Sequence, residues 1–343
     1  MGRIRNKDIA EMVGVSRAAV TQVLNGSRLN CVSPEKRKEI LRIAKENNYH
    51  PDFAAQVLGS GKTRTIGMPM PWMQNLAQTP SLSRFLSELT PILEKHGYLL
   101  SLLPVTNESS ESIYQNINML LSSRRVDGLI INALFLGPEA EKIIQSARIP
   151  VVTFALSSDQ KQYFENIAGV GFDCDKLLID LSRRFSNYGR TAMLYAPSHA
   201  SDHRLSVFKS CPELTFFELN RDYFFSIANA AAAMVFIRKR WQELKDFPCW
   251  ILQNDRFAYA AACVIREMGL VPGKDILLAG FDDVEEHSPE PFFTTIRDPF
   301  ELMAQSCVDL LLKQLNSGTV SGDFIKIPSQ IIYRASSAPV NPI

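Results

Sequence analysis

Only five of the 343 residues are histidine and six are cysteine, and no two cysteines form a C-x-x-C pair. Cys31, Cys174, Cys211, Cys249, Cys263 and Cys307 are scattered without nearby histidine partners, and a metal site needs clustered ligands at short spacing. They read as buried free thiols of a reducing compartment. No run approaches the ~18 apolar residues that cross a bilayer. Met1 to Ala10 carries Arg3, Arg5 and Lys7 but lacks the apolar stretch of a secretory signal, so the expected location is cytoplasmic. There is no G-x-S-x-G elbow and no complete phosphate-binding loop. Gly59-Ser60-Gly61-Lys62-Thr63 imitates the end of such a loop, but Gln56 stands where its first glycine belongs, and a helix precedes it instead of a strand. An enzyme is therefore not the expected reading, and no catalytic residue, metal ligand or cofactor is assigned.

The net charge of +1 conceals an uneven distribution. Residues 1–62 hold eleven lysines and arginines against six acidic residues, while the remainder of the chain holds 26 against 30. A basic end on a slightly acidic body suits a phosphate-seeking module joined to a domain that does not bind nucleic acid.

In that basic end, Asn6 is placed to cap a short helix with Ile9, Met12 and Val13 on its apolar face, and Gly14 ends it. Ser16 caps a second helix, Arg17 to about Leu24, whose inward side is Val20, Val23 and Leu24. After the Asn25-Gly26 turn, Ser33-Pro34 starts a third helix with Ile40, Leu41 and Ala44 toward the core. Two helices separated by a short glycine turn and followed by a third make a helix-turn-helix, whose second helix enters the major groove. Arg17, Ala18 and Gln22 face outward, with Ser16, Thr21 and Asn25 nearer the phosphates. Arginine suits guanine edges and glutamine suits adenine. Beyond Pro51, residues 52–58 can form two helical turns before Gly59-Ser60-Gly61, too short to be stable unless paired or docked. Leu58 there suits a wedge between base steps in the minor groove.

Lys7-Asp8-Ile9-Ala10, Gly14-Val15-Ser16, Val20, Val23-Leu24-Asn25-Gly26, Val32-Ser33-Pro34-Glu35, Tyr49-His50-Pro51 and Thr63-Arg64-Thr65-Ile66-Gly67 form a dense pattern that resembles the lactose/galactose repressor (LacI/GalR) family. The resemblance implies DNA contacts from Ser16, Arg17, Ala18, Thr21, Gln22 and Asn25, joined by Tyr49, Ala55 and Leu58. The family pattern most often has Ser-Arg where this chain has Thr21-Gln22, which changes the half-site expected.

From Thr65 onward short apolar runs alternate with amphipathic stretches. Strands are expected at Ile66–Met70, Tyr98–Leu103, Gly128–Ile131, Pro150–Phe154, Ala192–Tyr195, Cys249–Leu252 and Ile276–Gly280. Helices are expected at Leu82–His96, Ser112–Ser122, Glu139–Ala147, Lys176–Asn187, Ala228–Leu244 and Arg256–Met268. This alternation indicates α/β subdomains with parallel sheets, and the length calls for two. Arg125-Val126-Asp127-Gly128, Ile149-Pro150-Val151-Val152, Asn254-Asp255, Gly280-Phe281-Asp282-Asp283 and Thr294-Thr295-Ile296-Arg297 continue the family resemblance. It implies an all-α helix-turn-helix headpiece on a core similar to periplasmic sugar-binding proteins, with a ligand cleft between two lobes. The implied division is a headpiece over 1–50, a hinge helix and linker over 51–63, and an effector-binding core over 64–343. Within the core, lobe one takes about 64–160 and 294–321, and lobe two about 161–293 and 322–336. The crossings between lobes fall near 156–164, 288–296 and 318–326.

Ligands of open parallel sheets sit beyond the carboxyl ends of the strands. Candidate effector residues are Arg204, in a segment similar to the family's R-L-x-G-[FY], and Asn254 and Asp282, which follow strands. Tyr223 belongs to an acidic-aromatic pair, Trp72 is a candidate lid, and Asp202 stands where relatives often have arginine. Ala155 replaces an aspartate common in sugar-binding relatives, so no particular sugar is assigned. The expected function is a sequence-specific regulator, a repressor, whose partners are double-stranded operator DNA, a small-molecule effector (a sugar or other metabolite) and a second copy of the chain. The apolar faces of Leu82–Leu93 and Ile113–Leu121 are candidates for the dimer contact or for the core. A ligand-binding module whose headpiece has lost DNA recognition is the alternative, favoured only by Gln22.

Overall fold

The computed structural model describes residues 4–24, 32–49, 57, 61–71, 80–105, 115, 117–119, 125–133, 142, 144, 146, 149–155, 166–196, 203–219, 229–286 and 288–340. The chain divides into two compact units, Met1–Thr63 and Arg64–Ile343. The segment over 51–60 expected to hold the hinge helix lies outside the described residues except for Val57, and most of Ser112–Ser122 and Glu139–Ala147 also lies outside them.

The first unit contains α1 (Asn6–Val13), α2 (Arg17–Leu24) and α3 (Pro34–Glu46). Gly14 ends α1 in the left-handed region at φ 67°, which glycine adopts without steric cost. Asn6 does not cap α1. Arg5 precedes the helix and donates its N–H to the Asp8 carboxylate at 2.8 Å, while the Asn6 side chain reaches α2 instead. Ser33 caps α3, accepting from the Lys36 N–H at 3.4 Å, with Pro34 at the first helical position. Ile9, Ala10, Val20, Val23, Ile40, Ile43 and Ala44 form the core. Met12 and Leu41 were expected there but are 64% and 45% exposed. In α3 the buried positions 40, 43 and 44 follow the helical period, and Leu41 falls a quarter-turn off that stripe.

The second unit holds two six-stranded sheets. Sheet one runs β11-β5-β4-β3-β1-β2 and is parallel throughout. Its strands are β1 (Thr65–Pro71), β2 (Leu99–Val105), β3 (Gly128–Asn132), β4 (Val151–Phe154), β5 (Ala168–Asp173) and β11 (Phe324–Pro328). Sheet two runs β12-β10-β9-β8-β6-β7, parallel except for the antiparallel edge strand β12. It comprises β6 (Thr191–Tyr195), β7 (Leu214–Glu218), β8 (Cys249–Leu252), β9 (Leu277–Phe281), β10 (Thr294–Arg297) and β12 (Gln330–Ile332).

Both faces of each sheet are covered, which is why β3 reads as an unbroken apolar run. Ile130 packs into a cluster with Phe85, Leu89 and Leu93 of α4 (Pro80–Lys95) and with Met303 and Val308 of α10 (Phe300–Ser317). Its neighbours Leu129 and Ile131 point into a second cluster with Ile117, Ile144 and Ile167. The apolar face of α4 is therefore spent on the core of lobe one. Sheet two is covered on one side by α5 (Asp175–Tyr188) and α6 (His203–Lys209), and on the other by α7 (Asn229–Lys239), α8 (Trp241–Leu244) and α9 (Asp255–Glu267). Cys174, Cys211, Cys249 and Cys307 are buried free thiols, and Cys263 is half-buried.

The chain crosses between lobes later than expected: between β5 and α5, between β10 and α10, and between β11 and β12. Residues 168–173 belong to sheet one and 294–297 to sheet two, so the boundaries near 160, 293 and 321 each move toward the C-terminus. The reason is that β5, β10 and β11 each continue their lobe for one more strand. Ser329 joins the three crossings: its N–H donates to the Asp173 carbonyl at 3.3 Å, and its hydroxyl donates to the Asp298 carboxylate.

Gly280 on β9 lies against the start of α9. A Cβ there would sit 2.2 Å from the Asp255 Oδ1 and 3.0 Å from the Asp255 Cα and N. Backbone cannot yield as a flexible side chain can, so Gly280→Ala should cost about 2 kcal/mol of stability. Urea denaturation of the full chain measures it, and an unchanged midpoint would show that β9 and α9 can separate freely.

Candidate nucleic-acid interface and ligand cleft

On α2, the Ser16 hydroxyl accepts from the Ala19 N–H at 3.1 Å, satisfying a donor at the helix start. Arg17 and Ala18 are exposed and Gln22 is half-exposed. Ala18 and Gln22 stand one turn apart on one side of the helix, with Arg17 beside them. Thr21, expected nearer the phosphates, has a second engagement. Its hydroxyl accepts from Asn6 Nδ2 at 2.6 Å and donates to the Arg17 carbonyl at 3.0 Å, so it ties α1 to α2. Tyr49 is half-buried and its N–H donates to the Ala44 carbonyl at 2.8 Å. Not every cation of this unit is turned outward for phosphates. Arg42 is held by both Glu39 and Glu46, each at 2.7 Å, and Lys36 Nζ donates to the Gly14 carbonyl at 3.0 Å. Asn25, Ala55 and Leu58 lie outside the described residues.

In the second unit, Asn254 and Asp282 follow the carboxyl ends of β8 and β9. Asn254 caps α9, its Oδ1 accepting from the Phe257 N–H at 3.0 Å. Arg204 extends from α6 over the Phe281 ring, 5 Å in round terms (4.9 Å to the centroid), and its Nη1 stands 4.0 Å from the Asp282 carboxylate. That separation is a loose ion pair, so the two groups share one site without a tight hydrogen bond. His203 Nε2 meets Asp175 Oδ1 at 2.6 Å, which fixes α6 to the first turn of α5. The structure thus brings Arg204 and Asp282 together and sets Asn254 on the neighbouring strand end. Trp72, Asp202 and Tyr223 lie outside the described residues.

Several charged residues near these ends had no role in the sequence reading. Asp283 is buried and pairs with Arg297 and Arg334, each at 2.6 Å, while Glu286 pairs with Arg297 at 3.1 Å. Asp282 and Asp283 hold φ of 90° and 48°, a region costly for residues with a Cβ. Asp255 is fully buried beneath them. Its Oδ2 accepts from the Val284 N–H at 3.0 Å and the Thr295 hydroxyl at 3.1 Å. Burial, aided by the nearby Asp282 charge, pushes the Asp255 carboxyl up to about 8 against those two donors. Burial likewise lifts Asp298 at the crossing to about 6, opposed by the Ser329 hydroxyl and the Arg204 charge. Asp255 stood in view as half of Asn254-Asp255, but its burial cannot be read from spacing. The partners of Asp283 lie 14 and 51 positions away and carry no local signal. Among the described residues no group of His, Cys, Asp and Glu is placed to hold a metal ion, and no helix is long and apolar enough to cross a membrane.

Comparison with known proteins agrees with both units. Residues 7–52 match the bacterial regulatory proteins, lacI family, and residues 183–337 match a periplasmic binding protein-like domain. The chain is 25% identical to the HTH-type transcriptional repressor PurR of Vibrio vulnificus, over 98% of this chain and 99% of that protein. It is 27% identical to the HTH-type transcriptional regulator AglR of Rhizobium meliloti, over 97% and 94%. Its fold is that of the lac repressor dimer bound to operator and the anti-inducer ONPF (TM-score 0.78, 24% identity, 98% and 99% covered). A CelR–cellobiose complex is also similar (TM-score 0.65, 21% identity, 97% and 100% covered). A helix-turn-helix unit followed by a two-sheet periplasmic-binding-like core defines a DNA-binding regulator of transcription. Over nearly its whole length the chain is thus similar to lacI-family regulators, and residues 7–52 carry that family's DNA-binding unit.

The Asp255 environment generates a pH dependence. A carboxyl raised from 3.8 to about 8 in the folded chain binds a proton there that the unfolded chain has released. Its contribution to stability is complete below about pH 4 and is lost as pH rises through 8. Asp255→Asn keeps an acceptor for Val284 and Thr295 and cannot ionise, so its melting temperature should fall less than wild type between pH 6 and 9. Parallel melting curves for the two proteins would mean that the folded carboxyl is already ionised at neutral pH.

Proposed function

We propose that this chain is a repressor that binds a two-fold operator as a homodimer and is switched by a small polar metabolite in the cleft between its lobes. The observation that carries the reading is the outward face of α2, where Arg17, Ala18 and Gln22 share one exposed side of a capped helix in the basic unit. Arg17 is the guanine-reading group and Gln22 the adenine-reading group, each able to make two parallel hydrogen bonds to a base edge. Ala18 offers a methyl to thymine. Ser16, Asn25 and Tyr49 are the residues assigned to the phosphates on the family resemblance. Ala55 and Leu58 belong to the hinge segment that enters the minor groove when two copies pair. Thr21 acts on DNA through the pose of α2.

In the cleft, Arg204, Asp282 and the Asn254 amide grip a ligand bearing hydroxyl or other hydrogen-bonding groups, and the family resemblance adds Trp72, Asp202 and Tyr223 as candidates. The lac repressor and CelR complexes hold ONPF and cellobiose, which supports a saccharide or similar polyol as the class to try first. A ligand that prefers one lobe pose shifts the pair of headpieces toward or away from operator spacing. The reading includes no catalytic step, and DNA as the target places the protein in the cytoplasm.

Selection from a pool of random duplexes, followed by sequencing, tests it. A palindrome should emerge whose affinity falls steeply with salt, as phosphate contacts require. Arg17→Ala should cost about 1–3 kcal/mol and relax a guanine position, and Gln22→Arg should exchange an adenine for a guanine. Recovery of no sequence, with or without cell extract, would leave the folded chain without a DNA role.

A further inference from the structure

Helix α4 belongs to lobe one, with Phe85, Leu89 and Leu93 buried in the cluster that includes β1 and α10. Arg84 on this helix reaches out of that lobe. Its guanidinium lies 5.7 Å from the Phe300 ring centroid, still in lobe one, and its hydrogen bonds end in lobe two. Nη1 donates to the Asp282 carbonyl at 3.2 Å and to the Asp283 carbonyl at 3.4 Å, while Nη2 is paired with the Glu286 carboxylate. All three acceptors belong to the loop that follows β9.

That loop is built without Arg84. The Asp283 carboxylate is held by Arg297 and Arg334, its N–H by the Thr295 hydroxyl, and the Val284 N–H by Asp255. Its first two residues, Asp282 and Asp283, lie in the left-handed region. Arg84 therefore adds a bond between lobes without being required for the loop to fold. Its planar fork spreads donors over two carbonyls and a carboxylate at once, which a lysine ammonium on its single nitrogen matches poorly.

The geometry points to Arg84 as the positioning residue that couples occupancy of the cleft to the pose of the lobes. The residue whose carbonyl Arg84 holds, Asp282, is also the one whose carboxylate stands 4.0 Å from Arg204 in the cleft. A ligand that engages this carboxylate acts on the same strained residue that carries the other lobe. Arg84 docked on or released from residues 282–286 is the two-state element, and both the ligand and the DNA bias it. This inference rests on the regulator reading above.

The test uses the full chain as wild type, Arg84→Met, Arg84→Lys, Glu286→Gln and the Arg84→Met/Glu286→Gln double variant. Hydrogen exchange is followed at residues 282–286, and affinity is measured for the duplex recovered by selection. Arg84→Met should raise exchange at 282–286 while leaving α1–α3 unchanged, and should move duplex affinity about fivefold or more. Arg84→Lys, the variant safest for folding, should fall between, and the double variant should add to Arg84→Met only the effect of losing the Glu286–Arg297 pair, less than the sum of the two single changes. Exchange and affinity equal to wild type would overturn the coupling. Faster exchange with unchanged affinity would overturn it too, by reducing Arg84 to packing. If wild type retains no duplex, the regulator reading fails by itself, and unchanged exchange in Arg84→Met then removes the latch as well.

Discussion

Two lobes, each with a fully covered sheet, can move relative to each other only where the chain passes between them. It passes three times, and Ser329 bonds to the other two passages at once, through its backbone to Asp173 and through its hydroxyl to Asp298. A junction tied in this way resists sliding of one strand past another, because any slide breaks the hydrogen bonds of the buried Ser329. It tolerates a change of angle, which needs only small backbone rotations near the tie. The carboxyl that receives the hydroxyl bond is lifted by its own burial and sits within the field of Arg204. Hinge and cleft are thus electrostatically one neighbourhood.

The same neighbourhood explains why so much charge is concentrated beyond β8, β9 and β10. Asp255, Asp282, Asp283, Glu286 and Asp298 are gathered where three strands end, and like charges that close are unfavourable unless neutralised. Arg297 and Arg334 neutralise Asp283, and Asp255 is pushed toward its protonated form. Beyond the same strand ends Arg204 and Asp282 stand as a loose pair, with Arg204 over the Phe281 ring. The tight pairs beneath it hold the backbone of the loop after β9.

The parts of the fold legible in the sequence were those written locally. Gly14, Ser16 and Ser33-Pro34 mark helix ends by chemistry that acts within four residues, and the apolar runs of β3, β4, β8 and β9 mark strands covered on both faces. The missed strands carry weaker signals. β5 contains two glycines, and β10 begins with two threonines that are fully buried because their hydroxyls find partners in Ser337 and Asp255. Missing them displaced every crossing between lobes. In the site, Arg204, Asn254 and Asp282 could be named because each follows a strand end or a recognisable motif. Arg84, Arg297 and Arg334 meet the same loop from sequence distances of up to about two hundred residues, so no spacing rule announces them. Asn6 shows the limit at short range. A residue suited to cap its own helix donates across to another, and its Oδ1 is left buried without a partner.

That cross-helix bond separates two duties on α2 which adjacent positions might have been forced to share. The tilt of the helix is set by Thr21, whose hydroxyl is engaged on both sides, while positions 17, 18 and 22 carry no part of that tie through their side chains. Paralogues descended from such a headpiece can therefore change side chains at these outward positions without first repairing the scaffold. A duplicated gene can diverge in what it recognises through intermediates that all remain folded.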